Sequence, residues 1–142
     1  MKKLFLLLLI FYSVAVSAQI DKVVPPKPPV SEGLVHDYAG ILTDEQEQSL
    51  ENKLMAYDDS TSSQVAIVTL PTLRDGSLEY EDEEVALKIL REWGIGQAGR
   101  NNGIVILIVK SKDNTERKIR IEVGYGLEGA IPDMIAASII DH

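Results

Sequence analysis

Two stretches of this chain are almost unbroken runs of β-branched and apolar residues. Gln64 to Leu70 (QVAIVTL) and Gly103 to Lys110 (GIVILIVK) have the composition of strands covered on both faces. The second is the more apolar and is expected at the centre of a sheet. Arg117 to Val123 alternates instead: Ile119, Ile121 and Val123 face one way, Lys118, Arg120 and Glu122 the other. Leu50, Leu54 and Tyr57 recur at helical spacing. Thr43 and Gln46 form a capping box at the start of that helix, with Asp44 and Glu45 at the positive end of its dipole. A second helix, roughly Leu78 to Trp93, buries Val85, Ala86, Ile89, Leu90 and Trp93, while Glu81 to Glu84 form a solvated face in its first turns. A third opens at Pro132 and turns Ile135, Ile139 and Ile140 inward.

The order is α-β-α-β-β-α. Strand, helix and strand of these lengths make a right-handed parallel crossover, and the two later strands, joined by a short turn, make an antiparallel hairpin. The expected fold is therefore α/β, a three-layer α/β/α sandwich with a mixed sheet. The chain stops at His142 with no capping glycine, and we expect the domain to continue beyond that point.

Ahead of the domain the pattern changes. Lys2 and Lys3 precede an uncharged apolar run from Leu4 to Tyr12, then Val16-Ser17-Ala18. Residues 1–18 read as an export signal cleaved before Gln19. The apolar run is short of the roughly 20 residues of a spanning helix, and no later stretch is long enough. The expected product is periplasmic or secreted, with no integral membrane segment after cleavage. In residues 19–33, Pro25, Pro26, Pro28 and Pro29 cluster without apolar periodicity, the composition of an extended spacer. Pro26 and Pro29 also satisfy a PxxP spacing, a weaker reading than linker. The folded unit is expected to occupy residues 34–142.

Charge narrows the partners. The chain carries 14 basic and 22 acidic side chains, and losing Lys2 and Lys3 takes the net charge from −8 to −10. Such a surface repels nucleic acid and anionic lipid and tolerates cations. With no Cys, disulfides, thiol nucleophiles, Cys-ligated zinc and a lipoprotein anchor are excluded. His36 and His142 are the only imidazoles, which excludes a multi-His metal site.

The polar loops hold the candidate chemistry. Carboxylates at Asp37, Glu122, Glu128 and Asp133, with the amides of Asn101 and Asn102, are hard oxygen ligands suited to Ca²⁺ or Mg²⁺ and not zinc. Neighbouring glycines would let backbone groups approach a ligand closely. An antiparallel hairpin brings Asn102 and Glu122 together. If Asp37 folds over the same edge, three oxygens converge beneath Gly124-Tyr125-Gly126, and Glu128 or Asp133 completes the shell. Each residue also has a structural reading: Asp37 as a turn cap, Asn102-Gly103 as a tight loop, Glu122 as a partner of Lys118 or Arg120. There is no EF-hand loop, P-loop or nucleophile elbow, and Gly94, Gly96 and Gly99 follow a helix and precede a strand, the wrong order for a dinucleotide site.

Four separated segments in order resemble the TPM domain family, named for a thylakoid-lumen protein, a photosystem II repair protein and a receptor modulator. They are Asp37-Tyr38-Ala39-Gly40-Ile41-Leu42, Glu92-Trp93-Gly94-Ile95-Gly96, Asn102-Gly103-Ile104, and Glu122-Val123-Gly124-Tyr125-Gly126-Leu127-Glu128-Gly129. The resemblance runs from about Val35 to the end of the chain and implies a Rossmann-like sandwich in an exported or membrane-tethered protein. It also implies divalent-metal binding, notably of calcium, with acid phosphatase activity in some members. The matching positions are Asp37, Asn102, Glu122, Tyr125, Glu128 and Asp133. Many relatives carry Asp where this chain has Asn101, so one carboxylate is lost. Two functions follow as expectations: a calcium-binding module of the cell envelope acting through an unidentified protein partner, or a metal-dependent acid phosphatase acting on phosphate monoesters. Residue chemistry favours the first. Ala39 rather than Asp stands two places after Asp37, and an acidic surface repels a dianionic substrate.

Overall fold

The two apolar runs lie side by side at the centre of the sheet. In the computed structural model, which describes residues 20–96, 99–127, 129 and 140, the strands are β1 (Val35–Asp37), β2 (Gln64–Leu70), β3 (Arg74–Asp75), β4 (Leu78–Glu79), β5 (Gly103–Lys110) and β6 (Arg117–Val123). The helices are α1 (Asp44–Thr61) and α2 (Asp82–Glu92). The main sheet has the order β1-β2-β5-β6; β1, β2 and β5 are parallel, and β6 returns antiparallel to β5. This is the mixed sheet with packed helices that the pattern predicts. The export signal and the helix expected from Pro132 lie outside the described residues, apart from Ile140.

The sheet divides the apolar residues into two unequal groups. On one face Val68, Leu70, Val105, Leu107 and Val109 pack against Val85, Ala86, Ile89, Leu90 and Trp93 of α2 and its end, forming the main core. On the other, Val65, Ile104 and Val123 form a smaller cluster with Leu54, Ile106, Ile121 and Leu127. The alternation in β6 is realised as expected: Ile106 lies opposite Ile121, and Leu107 opposite Arg120.

Helix α1 begins as its sequence dictates. Thr43 N–H donates to Gln46 Oε1 at 2.9 Å, and Gln46 N–H donates to Thr43 Oγ1 at 3.2 Å. Glu51 then ties the helix to the sheet by accepting from the backbone of Leu34 (2.8 Å) and Val35 (3.0 Å). Gly33 permits this contact: its φ is 82°, and a Cβ there would lie 2.6 Å from the Glu51 carboxylate.

Three features depart from expectation. β1 is an additional edge strand, only three residues long. α2 starts at Asp82 rather than Leu78, because Leu78 and Glu79 pair with Arg74 and Asp75 around the Asp75-Gly76 turn. The proline-rich stretch is not a free spacer. Ile20 and Val24 are each 5% exposed within the α2-side core, and Val23 and Val24 N–H donate to Ile20 O at 3.0 and 3.1 Å. Trp93 Nε1 donates to Pro25 O at 3.1 Å, while Lys22 meets Asp75 at 3.0 Å and Lys88 meets Asp21 at 2.8 Å. Residues 20–25 thus form a strap that belongs to the core. Burying two apolar side chains outweighs the preference of the prolines for a solvated extended chain.

Candidate functional site

The sheet separates the residues assigned to a single metal shell. Asp37 ends β1 opposite Thr69, and Thr69 lies opposite Ile108. Asn102 lies at the other end, next to Gly103, and Glu122 sits opposite Val105, with β2 and β5 between it and β1. Five residues of strand separate Gly103 from Ile108, about 16 Å at the usual rise. Asp37 therefore does not fold over the edge that Asn102 and Glu122 share, and the three oxygens do not converge. The parallel register of β1, invisible in its three residues, is the reason.

Asp37 has a structural occupation. Its Oδ1 accepts from Ile41 N–H at 3.2 Å and from the Thr69 hydroxyl, and its Oδ2 accepts from Leu42 N–H at 2.8 Å. Partial burial pushes its pKa up, but the bonds from Thr69, Leu42, Ile41 and Gly40 outweigh it, and the carboxyl sits below its ordinary value. This is the turn-capping reading of Asp37. Asn102 is buried, and its side-chain amide donates to Ser62 O, tying the end of α1 to the start of β5. Glu122 accepts from Arg120 Nη2 at 3.0 Å and Nε at 3.2 Å, with its side chain 13% exposed. Arg120 also faces Glu83 at 3.8 Å. Burial alone would lower the Arg120 pKa; the hydrogen bond it donates to Glu122 and the charges of Glu122, Glu83 and Asp82 raise it instead. Glu128 and Asp133 lie outside the described residues. Among the described residues no group of three or more His, Asp or Glu is placed to hold a metal ion.

The motif glycines pack backbone on backbone. A Cβ on Gly103 would lie 2.1 Å from Ile95 O, one on Gly124 2.3 Å from Asn101 O, and one on Gly126 2.0 Å from Arg100 O. Gly124 and Gly126 N–H donate to Gly103 O (2.8 Å) and Asn101 O (2.9 Å). Three loops, around 95–96, 100–103 and 124–126, are thereby stacked without intervening side chains. The close approach that the sequence reserved for a ligand is made by the chain itself.

Above this stack is a cleft of about 590 Å³ between α2 and β6. Leu87, Leu90 and Val123 give it apolar walls; Arg91, Arg120 and Glu122 supply charge, and Tyr125, 68% exposed, stands at its rim. The sequence reading missed Arg91 and Glu83 here. Their signal was present: Glu83, Leu87, Leu90 and Arg91 share one face of a helix. A wider cavity, about 870 Å³, lies beside β1 and includes His36, Glu51 and Trp93. Two of its polar residues are engaged structurally: Glu51 holds the backbone, and the His36 ring meets Trp93 edge-on with centroids 5.1 Å apart.

Fold and cleft together define a small Rossmann-like α/β domain with a glycine-floored cleft at the amino end of its central strand. The sequence profile of the TPM domain matches residues 35–142, and the chain belongs to the TPM domain family. Among solved structures it is similar to the solution NMR structure of the N-terminal domain of a protein from P. gingivalis, with 35% identity and a TM-score of 0.67. That match covers 83% of this chain and 74% of the other. No curated protein matches the sequence.

Proposed function

We propose that this TPM domain is an exported binding module of the cell envelope that takes a divalent cation, Ca²⁺ before Mg²⁺, and acts through a protein partner. The observation that carries the reading is Glu122, a largely buried carboxylate at the glycine-floored end of the sheet. The five-residue shell does not fit. Asp37 is too far away and its oxygens are engaged, and the Asn102 amide is held by Ser62. What fits is a smaller shell of Glu122 with backbone carbonyls and water, in which Arg120 competes for the carboxylate. Affinity is then expected on the order of 10⁻⁴ to 10⁻³ M, the range of extracellular calcium modules.

Arg91 and Arg120 in the same cleft support a second reading, a phosphate-ester site. It is the weaker one, because among the described residues lining the cleft Tyr125 is the only hydroxyl and none is an imidazole or thiol. Calorimetric titration of metal-free protein with Ca²⁺ and Mg²⁺, together with melting in Ca²⁺ and in chelator, tests the proposal. Ca²⁺ should raise the melting temperature of the parent, and Glu122→Gln should abolish that rise. Asp37→Ala should melt lower yet keep the calcium increment, since Asp37 is a clamp and not a ligand. Identical melts of the parent in saturating Ca²⁺ and in chelator would refute the module. Phosphomonoester turnover that disappears in Arg120→Gln would favour the second reading.

A further inference from the structure

We propose that the outer edge of β6 is a self-association surface, on which a second copy of this chain pairs antiparallel with Ile121 on the two-fold axis. Among the described residues, β6 closes one end of the sheet and β1 the other. β1 is blunted as an edge, since it is only three residues long. β6 runs for seven residues in unbroken register with β5 and contains no proline or glycine. Its backbone polarity is set by the bonds beside it: Gly124 N–H donates to Gly103 O, and Ser111 N–H donates to Glu116 O. Even-numbered residues of β6 therefore turn their N–H and C=O groups to β5. Arg117, Ile119, Ile121 and Val123 turn theirs outward, a row that templates another strand.

Charged side chains usually defend such an edge, but here they are drawn off it. Lys118 meets Glu79 at 3.4 Å, and Arg120 meets Glu122 at 3.0 Å and Glu83 at 3.8 Å. These pairs lie on the α2 side of the sheet, since Lys118 and Arg120 stand opposite Val109 and Leu107 of the main core. The other face of the strand carries isoleucine and valine, with Ile119 48% exposed.

Charge selects both the partner and the register. With Ile121 on the axis, Ile121 faces its own copy, Ile119 faces Val123, and Arg120 faces Glu122 in both directions. The outward groups of residues 119, 121 and 123 then exchange about six main-chain hydrogen bonds. Moving the axis to Arg120 sets two arginines side by side, and moving it to Glu122 sets two glutamates side by side. Like charges directly opposite are destabilising. The strand is thus its own complement in one register, which is what a second copy supplies. Pairing joins two four-stranded sheets and leaves both α2 clefts on the same face. Each cleft gains the Arg120 and Glu122 of the other copy along its β6 wall.

The test uses the full chain, whose lack of cysteine makes an introduced thiol unique. Ile121→Cys should form a disulfide-linked dimer on mild oxidation, because the axis brings the two Cα atoms to about 5.5 Å. Ile119→Cys should link about tenfold more slowly, since its copies stand about 13 Å apart along the paired strands. Ile119 is nevertheless the more exposed residue, so random collision would favour it. Equal rates, or faster linking through position 119, overturn the proposal. Sedimentation equilibrium from about 1 μM to 1 mM supplies a second readout. The parent should dimerise within that range, and Arg120→Glu and Glu122→Arg should each sediment as monomers. An equimolar mixture of the two variants should recover dimer, because each meets its opposite charge in trans. A parent that stays monomeric throughout, or two folded variants that fail to pair when mixed, would refute the self-association. Where either variant proves unfolded, the cysteine pair decides.

Discussion

Trp93 joins the strap, the edge strand and α2, and replacing it tests whether the strap is part of the folded unit. The residue is 4% exposed, packs in the main core, meets His36 and Tyr38 edge-on, and donates its indole N–H to Pro25 O at 3.1 Å. Truncation of a buried Trp to Ala costs about 3–5 kcal/mol. A domain of this size loses about 3–5 °C per kcal/mol, so Trp93→Ala should melt roughly 10–20 °C below the parent. Trp93→Phe keeps most of the apolar contact and gives up the bond to Pro25, a loss of about 1 kcal/mol. That smaller change should fall mainly on the strap. Limited trypsin digestion reads it out, because Lys22 is exposed and precedes Val23, whereas Lys27 precedes Pro28 and is a poor site. Cleavage after Lys22 should be several-fold faster in Trp93→Phe, in line with a loss of about 1 kcal/mol. If Trp93→Ala melts within a degree or two of the parent, or Trp93→Phe is cut at the parental rate, the strap is not held as described.

Two further outcomes follow from buried polar groups. Glu116 is 6% exposed and accepts from the Thr72 hydroxyl (2.7 Å), Leu73 N–H (2.9 Å) and Arg74 Nε (3.2 Å), so it fixes the turn after β2. Glu116→Ala should lower stability in urea unfolding by about 1–3 kcal/mol, the penalty for leaving such donors unsatisfied, and an unchanged midpoint would refute this role. Burial holds His36 below its ordinary pKa, although the bond to Gly33 and the charges of Glu32 and Glu51 pull it up. The unfolded chain then takes up the proton first. Stability should fall as pH drops through about 6.5 and level off once the folded imidazole also protonates. Melts between pH 7.5 and 5 should show this slope in the parent but not in His36→Phe; a slope that survives the substitution assigns it to other groups.

The sequence made the centre of the fold legible and its margins obscure, for physical reasons. β2, β5 and β6 are long enough for composition and period to identify them, and the capping box at Thr43 marks the helix start to the residue. β1 and the β3–β4 pair are too short for any period to emerge; their pairing comes from the sheet and the turn beside them. The strap carried a signal in Ile20 and Val24, four residues apart, but four prolines just downstream dominated its composition. For the site, the contact of Glu122 with Arg120 was readable from the alternation of β6. The position of Asp37 was not, because a parallel edge strand can place its last residue at either end of the site only once its register is known. The glycines marked a place where backbones come close, without saying whether the second backbone belonged to a ligand or to the protein.

The two faces of the sheet also differ in how they would come apart. Helix α1 has eighteen residues and none of them is buried; its attachments are the capping box, the Glu51 carboxylate on two backbone amides, the Asn102 bond at its far end and partly covered Leu54. α2 buries four side chains in the main core. A local opening that lifts α1 breaks a few polar latches and exposes little apolar surface, whereas one that lifts α2 dissolves the core and takes the strap with it. Amide exchange should therefore find α1 a separately opening layer, and the α2 side the last part of the molecule to let solvent in.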